Sequence, residues 1–333
     1  KVGDTFTVYA QSTDEGTMGR LTACLPADFN LDRMVHYSVW PDSGMAGIGS
    51  SARWREGNDG IRESEGTIVI NGGNIRAKGQ DNASAIGGTR AEEIEFRSTD
   101  RGEVYNRRQG GSITINGGVV RTEPFALLEG NPLAVISVGI GTCQMGYGGS
   151  VTINGGVIHA VGKGSAAGIG SMGDIRITGG EISVFAEGGG AAIGSIGGVD
   201  CKSITINGNA IKSLSSKDGA CIGAATGGSV GSITISDAEL PLLSSNKILI
   251  GWDADSPGGK LTIRNCRVAS TDTLSVLTDG IRVGSNSELV IEESEIRLPH
   301  LRGIRVGGNG SIAVRDSDLH TYGIFMDETA QSP

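Results

Sequence analysis

The stretch that decides the fold is GGSVTINGGVIHAVGKGSAAGIGS, which occupies residues 148–171. It contains a short apolar alternation, a pair of glycines, a second alternation and then the sequence AAGIG. A close relative, GGSITINGGVVRT, occupies residues 110–122, and GSITIS recurs from residue 231. Repetition of one short pattern along a chain is typical of an array of stacked structural repeats.

The pattern I-x-I-N-G-G-x-I-x-A and its weaker variants occur nine times. The later copies recur every 23 to 29 residues, whereas the first two intervals, 45 and 38 residues, contain inserted loops. This variable period indicates repeats that are joined by turns of adjustable length. The copies are IVINGGNIRA at 68–77, ITINGGVVRT at 113–122, VTINGGVIHA at 151–160, IRITGGEISV at 175–184, ITINGNAIKS at 204–213, ITISDAELPL at 233–242, LTIRNCRVAS at 261–270, LVIEESEIRL at 289–298 and IAVRDSDLHT at 312–321.

A second element of the type A-G-I-G lies between these copies, so each repeat holds three short apolar stretches separated by turns. In I-x-I the two apolar side chains share one face, and Asn-Gly or Gly-Gly supplies the positive φ of a sharp bend. One repeat cannot bury its apolar face alone, whereas stacked repeats can. The second element reads AGIGS at 46–50, SAIGG at 84–88, VGIGT at 138–142, AGIGS at 167–171, AAIGS at 191–195, ACIGA at 220–224, ILIGW at 248–252, and GIRVG at 280–284 and 303–307.

The fold predicted from these repeats is all-β: a single-stranded right-handed parallel β-helix, or solenoid, of about ten coils. Leucine-rich L-x-x-L-x-L spacing, the i, i+3, i+4 spacing of helical repeats and the strict hexapeptide period of a left-handed β-helix are all absent from the sequence. We expect Ile70, Ile115, Ile153 and Ile177 to lie one above another in successive coils.

Three regions follow from the repeat limits. Residues 1–45 are predicted to form an N-terminal capping segment with the first coil strands, residues 46–327 the β-helix, and residues 328–333 a C-terminal tail. The sequence opens at Lys1 without an initiating Met or a signal-peptide pattern. We therefore expect it to be a processed or excised segment of something longer.

The composition restricts the partners of the chain. The net charge of −9 argues against nucleic acid as a partner, because contact with phosphates requires a basic surface. No apolar run approaches the roughly 18 residues that a membrane-spanning helix requires, so we expect no membrane span.

The five cysteines have two interpretations, a zinc or redox site and small buried apolar side chains. No two of them have C-x-x-C spacing and no His lies near them in the sequence, which favours buried thiols. They are Cys24, Cys143, Cys201, Cys221 and Cys266.

Two outward-facing stripes of charged residues emerge when the repeats are aligned. They are compatible with a groove that binds charged sugar polymers, or with a solvated sheet face whose charges pair between coils. One stripe contains Glu181, Glu239, Arg267, Glu295 and Asp318, and the other Arg76, Arg121, His159, Lys212, Arg297 and His320.

Inserted loops in the early coils offer a candidate binding site. They follow the A-G-I-G element, so stacking of the coils is expected to bring them together at one edge. Exposed aromatic rings suit sugar rings, and Arg supplies forked donors for hydroxyls or carboxylates. The alternative is that Trp54 and Tyr105 fix these loops onto the rod. The predicted carbohydrate-binding residues are Arg53, Trp54, Arg55, Tyr105, Arg107, Arg108, Tyr147 and Trp252.

Asp253 and Asp255 are the candidate metal ligands. The pattern D-x-D followed by Gly resembles the start of a calcium-binding loop, which makes calcium the candidate cofactor. Pro257 occupies the next expected ligand position, however, and no Glu closes the loop at its twelfth position. An acidic pair of this kind is also compatible with glycosidase chemistry.

The combination ITINGG-x-I-x-A with AAGIG resembles repeats of bacterial, notably clostridial, cell-surface proteins. It is similar over residues 46–252 to a calcium-associated carbohydrate-binding β-helix group that in turn resembles pectate lyases. The resemblance implies an extracellular or cell-surface module that binds polysaccharide or glycan without catalysis. Two alternatives remain, a polysaccharide lyase or glycoside hydrolase on the same rod, and a purely structural adhesin or fibre segment.

Overall fold

A computed structural model describes most of the repeat region. Of the predicted N-terminal cap it describes only one short strand, and it does not describe the predicted tail at 328–333, so the three region limits stay predictions. The described residues are 21–23, 46–49, 67–79, 83–88, 109–124, 137–142, 147–252, 259–270, 278–298 and 302–327.

Twenty-nine β-strands, numbered β1 to β29 along the chain, make up these residues together with turns. They form three parallel sheets, of which sheets 1 and 3 contain ten strands and sheet 2 contains nine. From β3 onwards, successive strands belong to sheets 1, 2 and 3 in turn, and each strand pairs with its counterpart in the neighbouring coil. The chain is therefore a right-handed parallel β-helix, which confirms the fold predicted from the repeats.

Sheet 1 is built from the I-x-I segments. Ile70 pairs with Ile115, Ile115 with Ile153, and Ile153 with Ile177, and all four are buried, so the predicted isoleucine stack is confirmed. The strands of sheet 1 are β1 (Leu21–Ala23), β3 (Thr67–Ile70), β6 (Gln109–Ile115), β9 (Tyr147–Ile153), β12 (Asp174–Ile177), β15 (Cys201–Asn207), β18 (Val230–Ser236), β21 (Lys260–Arg264), β24 (Glu288–Glu292) and β27 (Ser311–Arg315).

Sheet 2 is built from the G-x-I-x-A segments and alternates between core and solvent. Ile158 and Ala160 are buried, whereas His159 between them is exposed. The strands of sheet 2 are β4 (Asn74–Gly79), β7 (Val119–Pro124), β10 (Val157–Gly162), β13 (Glu181–Ala186), β16 (Ile211–Ser216), β19 (Glu239–Ser245), β22 (Arg267–Ser270), β25 (Glu295–Leu298) and β28 (Asp318–Thr321).

Sheet 3 is built from the A-G-I-G segments. Ile169 of this sheet belongs to the main core, whereas Ala167 belongs to a small separate cluster on the outer side of the sheet. The strands of sheet 3 are β2 (Ile48–Gly49), β5 (Ile86–Gly87), β8 (Ile140–Gly141), β11 (Ile169–Gly170), β14 (Ile193–Gly194), β17 (Ala220–Gly223), β20 (Ile248–Gly251), β23 (Asp279–Val283), β26 (Ile304–Val306) and β29 (Ile324–Met326).

Cysteine side chains contribute to the interior of this rod. Cys201, Cys221 and Cys266 are free and buried, and burial raises the pKa of the Cys201 and Cys221 thiols to about 12. The buried-thiol interpretation is confirmed for these three residues, whereas Cys24 and Cys143 lie outside the described residues.

Candidate functional site

Most of the predicted loop site falls on residues that the structure does not describe. Tyr147 is the first residue of β9 and its backbone pairs with Gln109 of β6. The predicted residues outside the described ranges are Arg53, Trp54, Arg55, Tyr105, Arg107, Arg108, Asp253 and Asp255.

Trp252 corrects one part of the prediction. Its side chain is fully buried and belongs to the main core, so the expectation that it offers an exposed ring to sugar is wrong. The ring lies so close to Gly259 that a Cβ there would come within 3.0 Å of it. The indole N–H is buried and has no hydrogen-bond partner among the described residues. Trp252 therefore packs the interior where the chain leaves sheet 3.

Part of the charged stripes on sheet 2 forms ion pairs between coils. Arg267 lies 3.6 Å from a carboxylate oxygen of Glu239 in the preceding coil and 3.5 Å from one of Glu295 in the following coil. Such exposed pairs each contribute about 1 kcal/mol or less. This arrangement supports the interpretation of the stripes as a solvated, ion-paired sheet face.

The outer face of sheet 3 changes along the rod from small to large side chains. In the early coils it carries small residues, such as Ala167 and Gly170 of one coil. The turn after β14 brings Ile196 against Ala167, and both side chains are buried. Ile196 therefore covers Ala167 on this part of the face.

In the last three coils, larger side chains occupy the positions that correspond to Ala167 and Gly170. Arg282 pairs with Arg305, and Arg305 with Phe325, in the ladder of sheet 3. Three residues earlier in the sequence lie Asp279, at the start of β23, and Arg302 and Tyr322, each two residues before β26 and β29. We name the set of five residues Arg282, Arg302, Arg305, Tyr322 and Phe325 the arginine–aromatic patch.

Two of the three arginines in the patch are held by carboxylates. Arg282 donates a hydrogen bond of 3.0 Å from Nη1 to Oδ2 of Asp279, and Arg305 donates one of 2.7 Å from Nη2 to Oδ1 of Asp327. These bonds fix the orientation of both guanidinium groups, and the bond to Asp327 raises the pKa of Arg305 above its ordinary value.

Asp279 is a buried carboxylate beneath the patch. Its side chain is only 3% exposed, and within the part of the chain that the structure describes Oδ1 has no hydrogen-bond partner. Burial raises the pKa of the Asp279 carboxyl, although the nearby guanidinium groups act in the opposite direction. Asp279 is therefore a support for Arg282, and too enclosed to meet a large ligand itself.

Arg302 differs from the other two arginines. Its side chain is exposed and makes no hydrogen bond or ion pair with any described residue. Its charge still acts on the Asp279 carboxyl at longer range. Arg302 therefore supplies the patch with a guanidinium whose donors are available to a ligand.

Tyr322 and Phe325 supply the aromatic part of the patch. Tyr322 is 77% exposed and Phe325 is 41% exposed. Their ring centroids are 6.5 Å apart with an interplanar angle of 20°, so the rings form a stacked pair. Flat apolar rings next to fixed polar donors form a surface that suits an amphipathic ring-shaped ligand.

The sequence contained a signal for this patch in GIRVG, at 280–284 and 303–307. These segments are variants of the A-G-I-G element in which Arg replaces the last Gly. That replacement places a long cationic side chain where other coils have none.

The described residues contain neither a cluster of metal ligands nor a membrane-spanning helix. Within the described ranges, no group of three or more His, Cys, Asp or Glu side chains is arranged to hold a metal ion. No helix in the same ranges is long and apolar enough to cross a membrane.

Comparison of the chain with protein-family models, curated proteins and solved structures finds no match in any of the three.

Proposed function

We propose that this chain is a carbohydrate-binding module of an extracellular or cell-surface protein, and that the arginine–aromatic patch contacts the sugar. The observation that carries the proposal is the stacked, exposed pair Tyr322 and Phe325 beside Arg302 and Arg305. Aromatic faces pack against the apolar faces of sugar rings, while guanidinium groups donate hydrogen bonds to ring substituents.

The geometry of the patch favours a polymer over a single small molecule. Its residues come from three successive coils, and neighbouring parallel strands are about 4.8 Å apart. The patch therefore extends along the rod on a scaffold of stacked strands. A saccharide chain lying along the rod would contact both the aromatic pair and the arginines.

An enzyme acting on polysaccharide needs groups that transfer protons at the scissile bond. The two carboxylates nearest the arginines, Asp279 and Asp327, are both hydrogen-bonded to them. This arrangement supports binding without catalysis, in agreement with the function that the resemblance implies.

A glycan array, run with and without calcium, tests the proposal. The wild-type chain is compared with Tyr322→Ala and Phe325→Ala, and circular dichroism checks that each variant keeps its β-structure. Phe185→Ala is a matched control, because Phe185 is 42% exposed and lies on sheet 2.

We expect Tyr322→Ala and Phe325→Ala each to weaken binding about tenfold, and Phe185→Ala to leave it unchanged. Equal binding by all four proteins would show that the patch is not the binding site. Release of shortened or unsaturated oligosaccharides by the purified wild-type chain would instead favour the lyase or hydrolase alternative.

A further inference from the structure

We infer that the sugar bound at the arginine–aromatic patch carries an anionic substituent, a carboxylate or a sulfate ester, and that Arg302 is the residue that selects it. This inference rests on the proposed carbohydrate binding and adds the class of sugar to it. It depends on the different environments of the three arginines and on the position of the aromatic pair.

Charge balance within the patch singles out Arg302. The positive charges of Arg282 and Arg305 are each matched by a carboxylate at 3.0 Å and 2.7 Å, respectively. Arg302 has no such partner among the described residues. A neutral ligand would leave this charge without a counter-ion, whereas an anionic substituent would neutralise it.

The position of Arg302 favours contact with a substituent of a stacked ring. Arg302 and Tyr322 belong to adjacent coils, and each lies two residues before a member of the paired Ile304 and Ile324. A sugar ring packed on Tyr322 would therefore hold its substituents close to the Arg302 side chain. A planar guanidinium donates two parallel hydrogen bonds to a carboxylate or sulfate group.

The rest of the patch limits how much negative charge it accepts. Asp279 and Asp327 lie beneath or beside the arginines, and the whole chain has a net charge of −9. Long-range attraction of polyanions by the protein is therefore not expected. Binding should depend on one contact, between the anionic substituent and the side chain of residue 302, and thus on the identity of that residue.

The experiment compares three polymers with one backbone: unsulfated chondroitin, which carries carboxylates, 4-sulfated chondroitin, which carries both groups, and carboxyl-reduced unsulfated chondroitin, which is neutral. Affinities are measured by surface plasmon resonance at one ionic strength for the wild-type chain, Arg302→Gln and Arg302→Lys. Arg176→Gln is the matched control, because Arg176 is an exposed arginine on sheet 1 and the change removes the same charge.

We expect the wild-type chain to bind at least one of the two anionic polymers about tenfold more tightly than the neutral polymer. Arg302→Gln should abolish this preference by lowering the affinity for the anionic polymers more than the affinity for the neutral polymer, and Arg302→Lys should retain only part of the preference because Lys lacks the planar fork. Arg176→Gln should behave as the wild type. Preference for the unsulfated polymer identifies the carboxylate as the group bound, and preference for the sulfated polymer alone identifies the sulfate.

Two results would overturn the inference. Equal affinity of the wild-type chain for neutral and anionic polymers would show that the anionic substituent is not recognised. The proposed carbohydrate binding would still stand. If Arg302→Gln and Arg176→Gln reduce the preference for anionic polymers to the same extent, the preference depends on the overall charge of the protein and not on Arg302. Failure to bind any carbohydrate, here or on the array, would reject the proposed function together with this inference.

Discussion

Arg282 lies directly beside Gly251 in the ladder of sheet 3, at the equivalent position of the next coil. Gly251 has a φ of 121°, and a Cβ built on it would lie 1.7 Å from the carbonyl oxygen of Arg282. The close approach of the two coils therefore requires glycine at 251, while the position one coil later accepts a long side chain. This pair of residues marks the boundary between the small-residue part of the outer face and the arginine–aromatic patch.

Gly251→Ala should therefore destabilise the rod by about 1–3 kcal/mol or more, because the new methyl group meets backbone in a conformation that favours glycine. Gly189→Ala is the matched control, since the nearest atom to its new Cβ would be Oγ1 of Thr226 at 3.6 Å. Urea unfolding monitored by circular dichroism gives both free energies. Equal stability of the two variants would contradict the close coil contact at Gly251.

Cys266 belongs to a column of small residues at the bend between sheets 1 and 2. The pairing of Val268 with Ile296 puts Ser294 at the equivalent position of the next coil. We expect Cys266→Leu to reduce the free energy of unfolding by about 1–3 kcal/mol through overpacking. Cys266→Ser should have a smaller effect, because a serine already fits one coil later. A leucine variant as stable as the serine variant would show that the bend has spare volume.

The thiols of Cys201 and Cys221 should be inert in the folded protein. Burial raises the pKa of both to about 12, so at pH 8 almost none of either thiol is in the reactive thiolate form. Labelling with iodoacetamide at pH 8, followed by peptide mapping, should find both residues modified only when urea is present. Rapid labelling without urea would show that these coils open readily.

The charge of Asp279 should make the stability of the rod depend on pH. Because the folded pKa is raised above the unfolded value, the native state binds the proton more tightly, and stability falls as pH rises from about 4 through the folded pKa. Asp279→Asn removes this titration. The free energy of unfolding of the Asn variant relative to wild type should therefore increase over the same pH range. A difference that stays constant with pH would show that Asp279 is not in a desolvating environment.

The fold was predictable because the apolar pattern and the glycines act locally in every coil. Ile153 and Ile177 occur in nearly identical segments, and their side chains can be buried only by stacking. Register followed from aligning the repeats, since a slip of one residue would turn each buried isoleucine to solvent.

The candidate site was less predictable because exposure depends on neighbouring coils. Trp252 follows a recognised strand, and nothing in the local sequence tells whether its ring turns outward or into the core, where it lies. Arg305 occurs in the repeat variant GIRVG at 303–307, and Arg302 directly precedes it. Their grouping with Tyr322 and Phe325 required the register of β26 and β29.

Hydroxyl-radical footprinting of the chain with and without a bound glycan tests most directly whether the outer face of sheet 3 is the binding surface. The two aromatic residues of the patch and Phe185 on sheet 2 are all exposed in the free protein, so each reports on its own surface. We expect the ligand to protect Tyr322 and Phe325 from oxidation and to leave Phe185 unchanged. Binding of the same glycan without protection of Tyr322 and Phe325 would contradict the assignment.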